Sequence, residues 1–245
     1  VLGGAEADLK IFSIDQRPPG FLDPQPGDDW LFGPRLTLPV DVFWDDWLYG
    51  FGKFRFDNGF QPGLAEHQLR ADEYFFRFGG ADAIAQFQAG KFATIFGSWV
   101  RRHETDDDAF ITAPLAYDEL TSVISVREFT GVDDIVANRS KPNNVHTWLP
   151  IVWGPVYVPG FATFGDVGPF NYAVELKSRA ISSRPSVWDD WDFVDPTWTG
   201  RIGYHPNAAW DFGASVSHGA YLDPGAGPRV GDFKQTTAGI DASYA

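Results

Sequence analysis

The chain has no cysteine, which excludes a disulfide framework and a thiolate metal site, and with them the small cross-linked secreted scaffolds. Methionine is absent too, even at position 1. Val1 is therefore not an initiator, and loss of an upstream segment is expected, either by signal-peptide cleavage or because the sequence belongs to a longer chain. No apolar run approaches the roughly 18 residues of a spanning helix, which excludes a helical membrane protein. A barrel escapes that exclusion, since its strands need only about 10 alternating residues. Basic residues are scarce: 19 Lys and Arg against 33 Asp and Glu leave a formal charge of -14. Phosphate binding requires clustered cations, so no nucleic-acid partner is expected.

Aromatic residues, by contrast, are abundant at 16%, with 22 Phe and 10 Trp. Membrane girdles or sugar-stacking surfaces would each account for them. The most informative segment is PTWTGRIGYHPNAAWDFGASVSHGAYL, residues 196–222. Side chains alternate along a strand. That alternation puts Trp198, Ile202 and Tyr204 on one face of the first arm, opposed by Thr197, Thr199, Arg201 and His205. Trp210, Phe212, Ala214, Val216 and Leu222 share a face of the second arm, opposed by Asp211, Gly213, Ser215, Ser217 and Gly219. Aromatics near strand ends with small polar residues opposite suit a membrane barrel.

The same pattern recurs. Leu36, Leu38, Val40, Val42 and Trp44 oppose Arg35, Thr37, Asp41 and Phe43 in residues 35–44, where Pro39 demands an edge position or a bulge. Residues 47–57 set Leu48, Phe54 and Phe56 against Lys53, Arg55 and Asp57, and Asn58-Gly59 marks a turn. Residues 69–78 direct Tyr74, Phe76 and Phe78 outward, with Glu73 and Arg77 opposite. The following strand, AIAQFQAGKFATIF, alternates poorly and needs a bulge near Gly90. Alternation returns at residues 170–182, and residues 233–245 supply a last strand, weaker on its apolar face (Ala238, Ile240, Ala242, Tyr244). Roughly nine or ten strands are expected, with no helical pattern lasting three turns. The reading is an all-β chain: a mostly irregular lead-in over residues 1–34, then a barrel domain over 35–245 with a long loop region around 98–155.

If the apolar faces meet lipid, the opposite faces line a lumen. The pore-lining candidates are Lys53, Arg55, Glu73, Arg77, Glu175, Lys177, Arg179, Arg201, Asp211 and Asp241, with Arg35 and Asp41 beside them. Charged rings select ions, although opposed charges also brace a wall. Residues 98–131 form a candidate constriction loop through Arg101, Arg102, Glu104, Asp106, Asp107, Asp108 and Arg127, or else an ordinary outer loop. Trp44, Trp198, Tyr204 and Trp210 are candidate membrane-interface anchors. Acid patches such as Asp189-Asp190 read as solvated loops. The five histidines form no metal-ligand pair, and Ser217 and His218 point to opposite faces, so neither catalysis nor a cofactor nor a metal is expected.

The runs QAGKFATIFG (residues 88–97), GPFNYAVELKSRAIS (168–182) and TAGIDASYA (237–245), with the polar stretch 100–120, resemble Gram-negative outer-membrane porins. They are most similar to the phosphate-selective-porin-like group. The resemblance implies an antiparallel transmembrane β-barrel, integral to the bacterial outer membrane. It also implies contact with outer-membrane lipid and lipopolysaccharide, passive diffusion of small hydrophilic solutes or ions, and a homo-oligomer such as a trimer. Such barrels end on an aromatic residue; this chain ends on Ala245, so further strands are expected. The mixed-sign interior departs from a ladder of Arg and Lys, so the resemblance carries the barrel and not anion selectivity. Two other readings use the same residues. One is a soluble β-sandwich carbohydrate-binding module that stacks sugars on Trp188 and Trp191; the other is a non-conducting barrel that serves envelope partners.

Overall fold

The computed structural model describes residues 1–13, 30–57, 67–80, 83–99, 114–118, 120–139, 148–153, 156–183 and 191–244. Strands dominate: β1 (Leu2–Gly3), β2 (Glu6–Ser13), β3 (Trp30–Trp44), β4 (Leu48–Asp57), β5 (Gln68–Phe78), β6 (Gln86–Phe92), β7 (Leu120–Ile124) and β8 (Trp148–Pro150). They continue with β9 (Val158–Val167), β10 (Phe170–Lys177), β11 (Thr197–Asn207), β12 (Trp210–Ala220) and β13 (Lys234–Tyr244). Two short helices, α1 (Leu115–Asp118) and α2 (Val132–Arg139), lie between β6 and β9. Eleven strands form one antiparallel sheet in the order β1-β3-β4-β5-β6-β9-β10-β11-β12-β13, with β2 also on β3, while β7 and β8 pair separately. From β3 onward, except where β7 and β8 intervene, strands that are neighbours in sequence are neighbours in space; β1 and β2 both lie along β3. The protein is therefore all-β, as its alternation implies. Among the described residues the sheet is not closed: β13 and the β1–β2 edge do not pair.

The two ends of the sheet are unlike. At one end the strands turn back through residues 45–47, 79–85, 168–169 and 208–209. At the other, the connections are 14–29, 58–67, 93–157, 178–196 and 221–233. The principal cluster of buried apolar side chains sits at the end with long connections, built from Phe96, Tyr117, Leu149, Val152, Trp153 and Val156 with Val158 and Ile181.

Several expectations need correction. The described part of the lead-in is largely strand: β2 pairs with β3 from Glu6↔Thr37 to Ser13↔Trp30, and β3 begins at Trp30, so the boundary at residue 34 falls inside a strand, while residues 14–29 lie outside the described residues. Pro39 sits opposite the break between β1 and β2, and Gly4 N–H donates to its carbonyl at 3.0 Å; the irregularity is in the partner strand. The region 98–155 holds β7, β8 and both helices. Strand β9 escaped the sequence reading, because Thr163 and Gly165 interrupt its outward apolar face. Pairing runs unbroken through Gly90, and the register shift falls instead between Lys53 and Phe54, which places Asp72 as the extra residue of β5. Gly90 is nevertheless locally irregular. Its φ of 149° is open to glycine, and a Cβ there would stand 2.2 Å from Tyr74 O. Past it, Lys91 is 1% exposed although its register partner Tyr74 faces outward, while Phe87 is 45% exposed.

Candidate functional site

From β3 to β12 the described side chains of the main sheet divide between two faces. On one face stand Leu36, Leu38, Phe54, Phe56, Phe76 and Val174, then Leu176, Ile202 and Val216, all at least 36% exposed. Among the described side chains of these strands no Asp, Glu, Lys or Arg is exposed on that face; Lys91, whose register partner is the outward Tyr74, is 1% exposed. Aromatic side chains gather at both rims of this apolar face. At the short-turn rim Phe170 packs on Tyr204 with centroids 5.1 Å apart, Trp47 on Phe78 at 6.3 Å, and Trp210 on Tyr244 at 4.9 Å. At the opposite rim Trp198 faces His218, and Phe161 meets Trp191 and Phe193. Trp44, Trp198, Tyr204 and Trp210, the four candidate anchors, are all exposed on these rims.

The other face is charged, and most of its strand cations stand beside carboxylates. Lys53 Nζ pairs with Glu73 at 2.7 Å, and Arg55 with Asp72 at 3.1 Å. Arg70 reaches both Asp72 at 2.6 Å and, through a bidentate fork, Asp57, which Arg35 also approaches at 3.7 Å. Lys177 lies 3.9 Å from Glu175. On β11, Arg201 pairs with Asp241 at 2.6 Å by passing over Gly213 of the intervening β12, where a Cβ would stand 2.2 Å from its Nη2. Asp211 lies 3.9 Å from the same guanidinium and 3.5 Å from His205 Nδ1. Fork-shaped guanidinium pairs of this kind are strong because both oxygens are held in plane.

A single stretch crosses this face. Ala93 N–H donates to Glu73 on β5 at 3.0 Å; Thr94 Oγ1 and Ile95 N–H donate to Glu175 on β10 at 2.6 and 3.2 Å. Gly97 N–H then donates to Ser215 Oγ on β12 at 3.1 Å, and the Phe96 ring lies against Gly239 on β13. In a flat sheet the five strand spacings from β5 to β12 would cover roughly 24 Å. Residues 93–97 extend no more than about 14 Å, and strand side chains stand nearly perpendicular to the sheet, adding little lateral reach. The sheet therefore curls toward this segment. Further contacts bind the connection: Lys53 Nζ donates to Tyr157 Oη at 3.1 Å, and Lys177 Nζ donates to the carbonyls of Phe92, Val156 and Val158. Tyr117 Oη donates to Phe96 O at 3.5 Å, and burial together with the Asp241 carboxylate pushes its phenol up to about 12, so it stays a neutral donor. Burial drives the Tyr157 phenol up as well.

No family model matches this chain, and a search of curated proteins finds no match. The porin resemblance of residues 88–97 and 168–182 thus stands on those residues alone, and the physical arrangement carries the argument below.

The candidate residues can now be placed. Lys53, Arg55, Glu73, Arg77, Glu175, Lys177, Arg201, Asp211 and Asp241 share the charged face. Arg179 does not belong to it as a strand residue, since β10 ends at Lys177. Lining an aqueous path requires contact with water, yet Lys53, Arg55, Glu175, Lys177 and Arg201 are at most 5% exposed. They clamp strand to strand and strand to connection. Of the constriction-loop candidates, Arg101, Arg102, Glu104, Asp106, Asp107 and Asp108 lie outside the described residues. Arg127 pairs with Asp134 of α2 at 2.6 Å, within the connection itself. Sequence reasoning missed Arg70 and Asp72, because the extra residue in β5 disturbs the parity that would have revealed them. It also missed residues 93–97, whose inward path no alternation marks. Among the described residues no group of three His, Asp or Glu is placed to hold a metal ion.

Proposed function

We propose that this chain is a porin-like β-barrel of the bacterial outer membrane, passing small hydrophilic solutes or ions beside an inward-folded connection. The observation that carries the reading is the sorting of charge. A face of exposed aliphatic and aromatic side chains from β3 to β12, with no exposed charge among the described residues and with aromatic rims at both ends, suits a bilayer, whose interfaces favour aromatic rings and whose core penalises charge. The strands fit as well: β4, β5, β9, β11, β12 and β13 have 10 or 11 residues, against about 9–11 for tilted spanning strands. Tight turns at one end and long connections at the other match the turn asymmetry of such barrels. β2 and β13 run in opposite directions along the sheet, so their pairing would close it without breaking the antiparallel order.

In this reading residues 93–97 narrow the lumen, and the buried pairs hold the wall and the connection in place. A second reading, a non-conducting barrel serving envelope partners, draws support from one observation: Glu175 and Lys177 are fully covered, as in a plugged lumen. Reconstitution into planar bilayers separates the two. Discrete ohmic steps are expected of the channel, and silence from protein with heat-modifiable electrophoretic mobility selects the plugged barrel. Protein that stays monodisperse without detergent and fails to enter vesicles overturns both. A salt gradient across a conducting bilayer then gives charge selectivity by its reversal potential.

A further inference from the structure

Arg77 differs from the other paired strand cations of the inner face described above. Those cations stand within 4.0 Å of a carboxylate. Arg77 stands near none of the described carboxylates at that distance. Its Nε and Nη2 both donate to Gln88 Oε1, at 3.1 and 2.9 Å, which leaves three of its five N–H groups for another acceptor. Among the described residues Nη1 makes no hydrogen bond, and the Arg77 side chain is only partly buried. The guanidinium is held over three rings, with its carbon 4.8 Å from the centroid of Phe164, 5.4 Å from Phe75 and 5.6 Å from Tyr49.

These rings belong to a wider aromatic patch on the same face near the short-turn end. Tyr49 packs against Phe43 at 5.1 Å, against Phe75 at 6.0 Å and against Phe51 at 6.4 Å. Phe43 is 58% exposed, and Tyr49, Phe51 and Phe164 are half-buried, so ring surface stays open. The phenol donates to Asp41 Oδ1 at 2.5 Å, which fixes the ring and engages that acid away from Arg77. Arg35, Lys53, Arg55, Arg70, Lys177 and Arg201 of this face each have a carboxylate within 4.0 Å. Here a cation with an open bidentate edge stands beside exposed ring faces, which is the chemistry that receives a carboxylate attached to a planar ring.

We propose that Arg77, with Tyr49 and Phe51, forms a binding site for small aromatic carboxylates at the short-turn mouth of the inner face. The proposal rests on the reading that this face borders an aqueous path. The carboxylate takes the Nη1 and Nη2 edge, and the ring stacks on Tyr49 or Phe51, while Gln88 holds the guanidinium plane in place.

The test is calorimetric titration of detergent-solubilised protein with benzoate, acetate, glucose and inorganic phosphate. Because it does not depend on conductance, a silent bilayer with intact binding rejects the channel and keeps the site. Benzoate is expected to bind at least tenfold more tightly than acetate or phosphate, and glucose to give no heat. Arg77→Gln should weaken benzoate at least tenfold, Arg77→Lys by less, and Tyr49→Leu severalfold, with Arg127→Gln, remote from the patch, as wild type. Gln88→Leu, which frees the guanidinium to turn, should weaken benzoate without abolishing it. No benzoate binding by folded wild-type protein, phosphate binding as tight as benzoate, or unchanged affinity in Arg77→Gln would each overturn the proposal.

Discussion

Thr94 Oγ1 donates a hydrogen bond to Glu175 Oε1 at 2.6 Å, although 81 positions separate them in sequence. With the Ile95 N–H on Oε2, this fully buried carboxylate holds the point where the connection leaves β6 and turns across the sheet. Removing Glu175 strands Lys177 without its neighbouring carboxylate and frees two donors. Breaking a buried pair in this way costs about 3–5 kcal/mol. Glu175→Ala is expected to release residues 93–97, seen in planar bilayers as larger and noisier steps than wild type. Glu175→Gln keeps two acceptor or donor positions at the same place and should fall between them. Steps indistinguishable from wild type in Glu175→Ala would remove this segment from the conduction path.

Ile202 stands 57% exposed, midway along β11 between the rings of Trp198 and Tyr204. A cation at mid-depth on a lipid-facing strand costs about 2–4 kcal/mol. Ile202→Arg should lower the midpoint of urea-induced unfolding from liposomes by a corresponding amount, whereas Ala208→Arg, in the adjacent turn, should leave it nearly unchanged.

Gly90 adopts a φ of 149° and lies against β5 so closely that an added Cβ would meet Phe75 Cα at 2.4 Å. Neither the dihedral nor the space admits alanine, and such substitutions cost more than the ~1 kcal/mol that they gain elsewhere by stiffening the unfolded chain. Gly90→Ala is expected to reduce the yield of folded, heat-modifiable protein sharply. Gly131→Ala, with nothing within 4 Å, provides the tolerant comparison.

The Arg127 guanidinium and the Thr130 amide hold the Asp134 carboxyl well below the usual carboxylate range. A lowered pKa means that the folded form binds the proton more weakly, so this anchor is complete above the ordinary carboxylate range near pH 4 and is lost as pH falls through the lower folded value. Pepsin offers a readout at neighbouring Phe129, which is buried and lies under the Arg127 cation at 5.3 Å. Cleavage there should be slow at pH 4 and faster at pH 2. Asp134→Asn should already be cleaved at pH 4.

Which parts of this fold could be read from sequence follows from what period-2 alternation records. It reports which way a side chain points, so Lys53, Arg55, Glu175 and Arg201 were assignable to the face opposite Phe54, Val174 and Ile202. It does not report what meets them there. Their near-complete burial arises from ion pairs across strands and from a connection whose path depends on tertiary contacts such as Gly97 with Ser215. Parity also fails wherever one residue is added or one dihedral leaves the strand region. Asp72 is the added residue, hiding Arg70, and Gly90 has the unusual dihedral. Strand β9 was invisible for a different reason: its outward residues include Thr163 and Gly165, and its inward Ala162 and Phe164 pack on an aromatic cluster, which reverses the usual contrast between faces.

The central claim is that the face bearing Val174, Ile202 and Val216 meets lipid. The chain's lack of cysteine makes single-cysteine labelling unambiguous. Spin labels at Val174→Cys, Ile202→Cys and Val216→Cys, in protein reconstituted into liposomes, should collide far more often with dissolved oxygen than with a water-soluble nickel chelate. A label at Ala208→Cys, in the turn, should show the opposite preference. Nickel collision rates at the three strand positions equal to that at Ala208 would contradict the account, for the apolar face would then be standing in water.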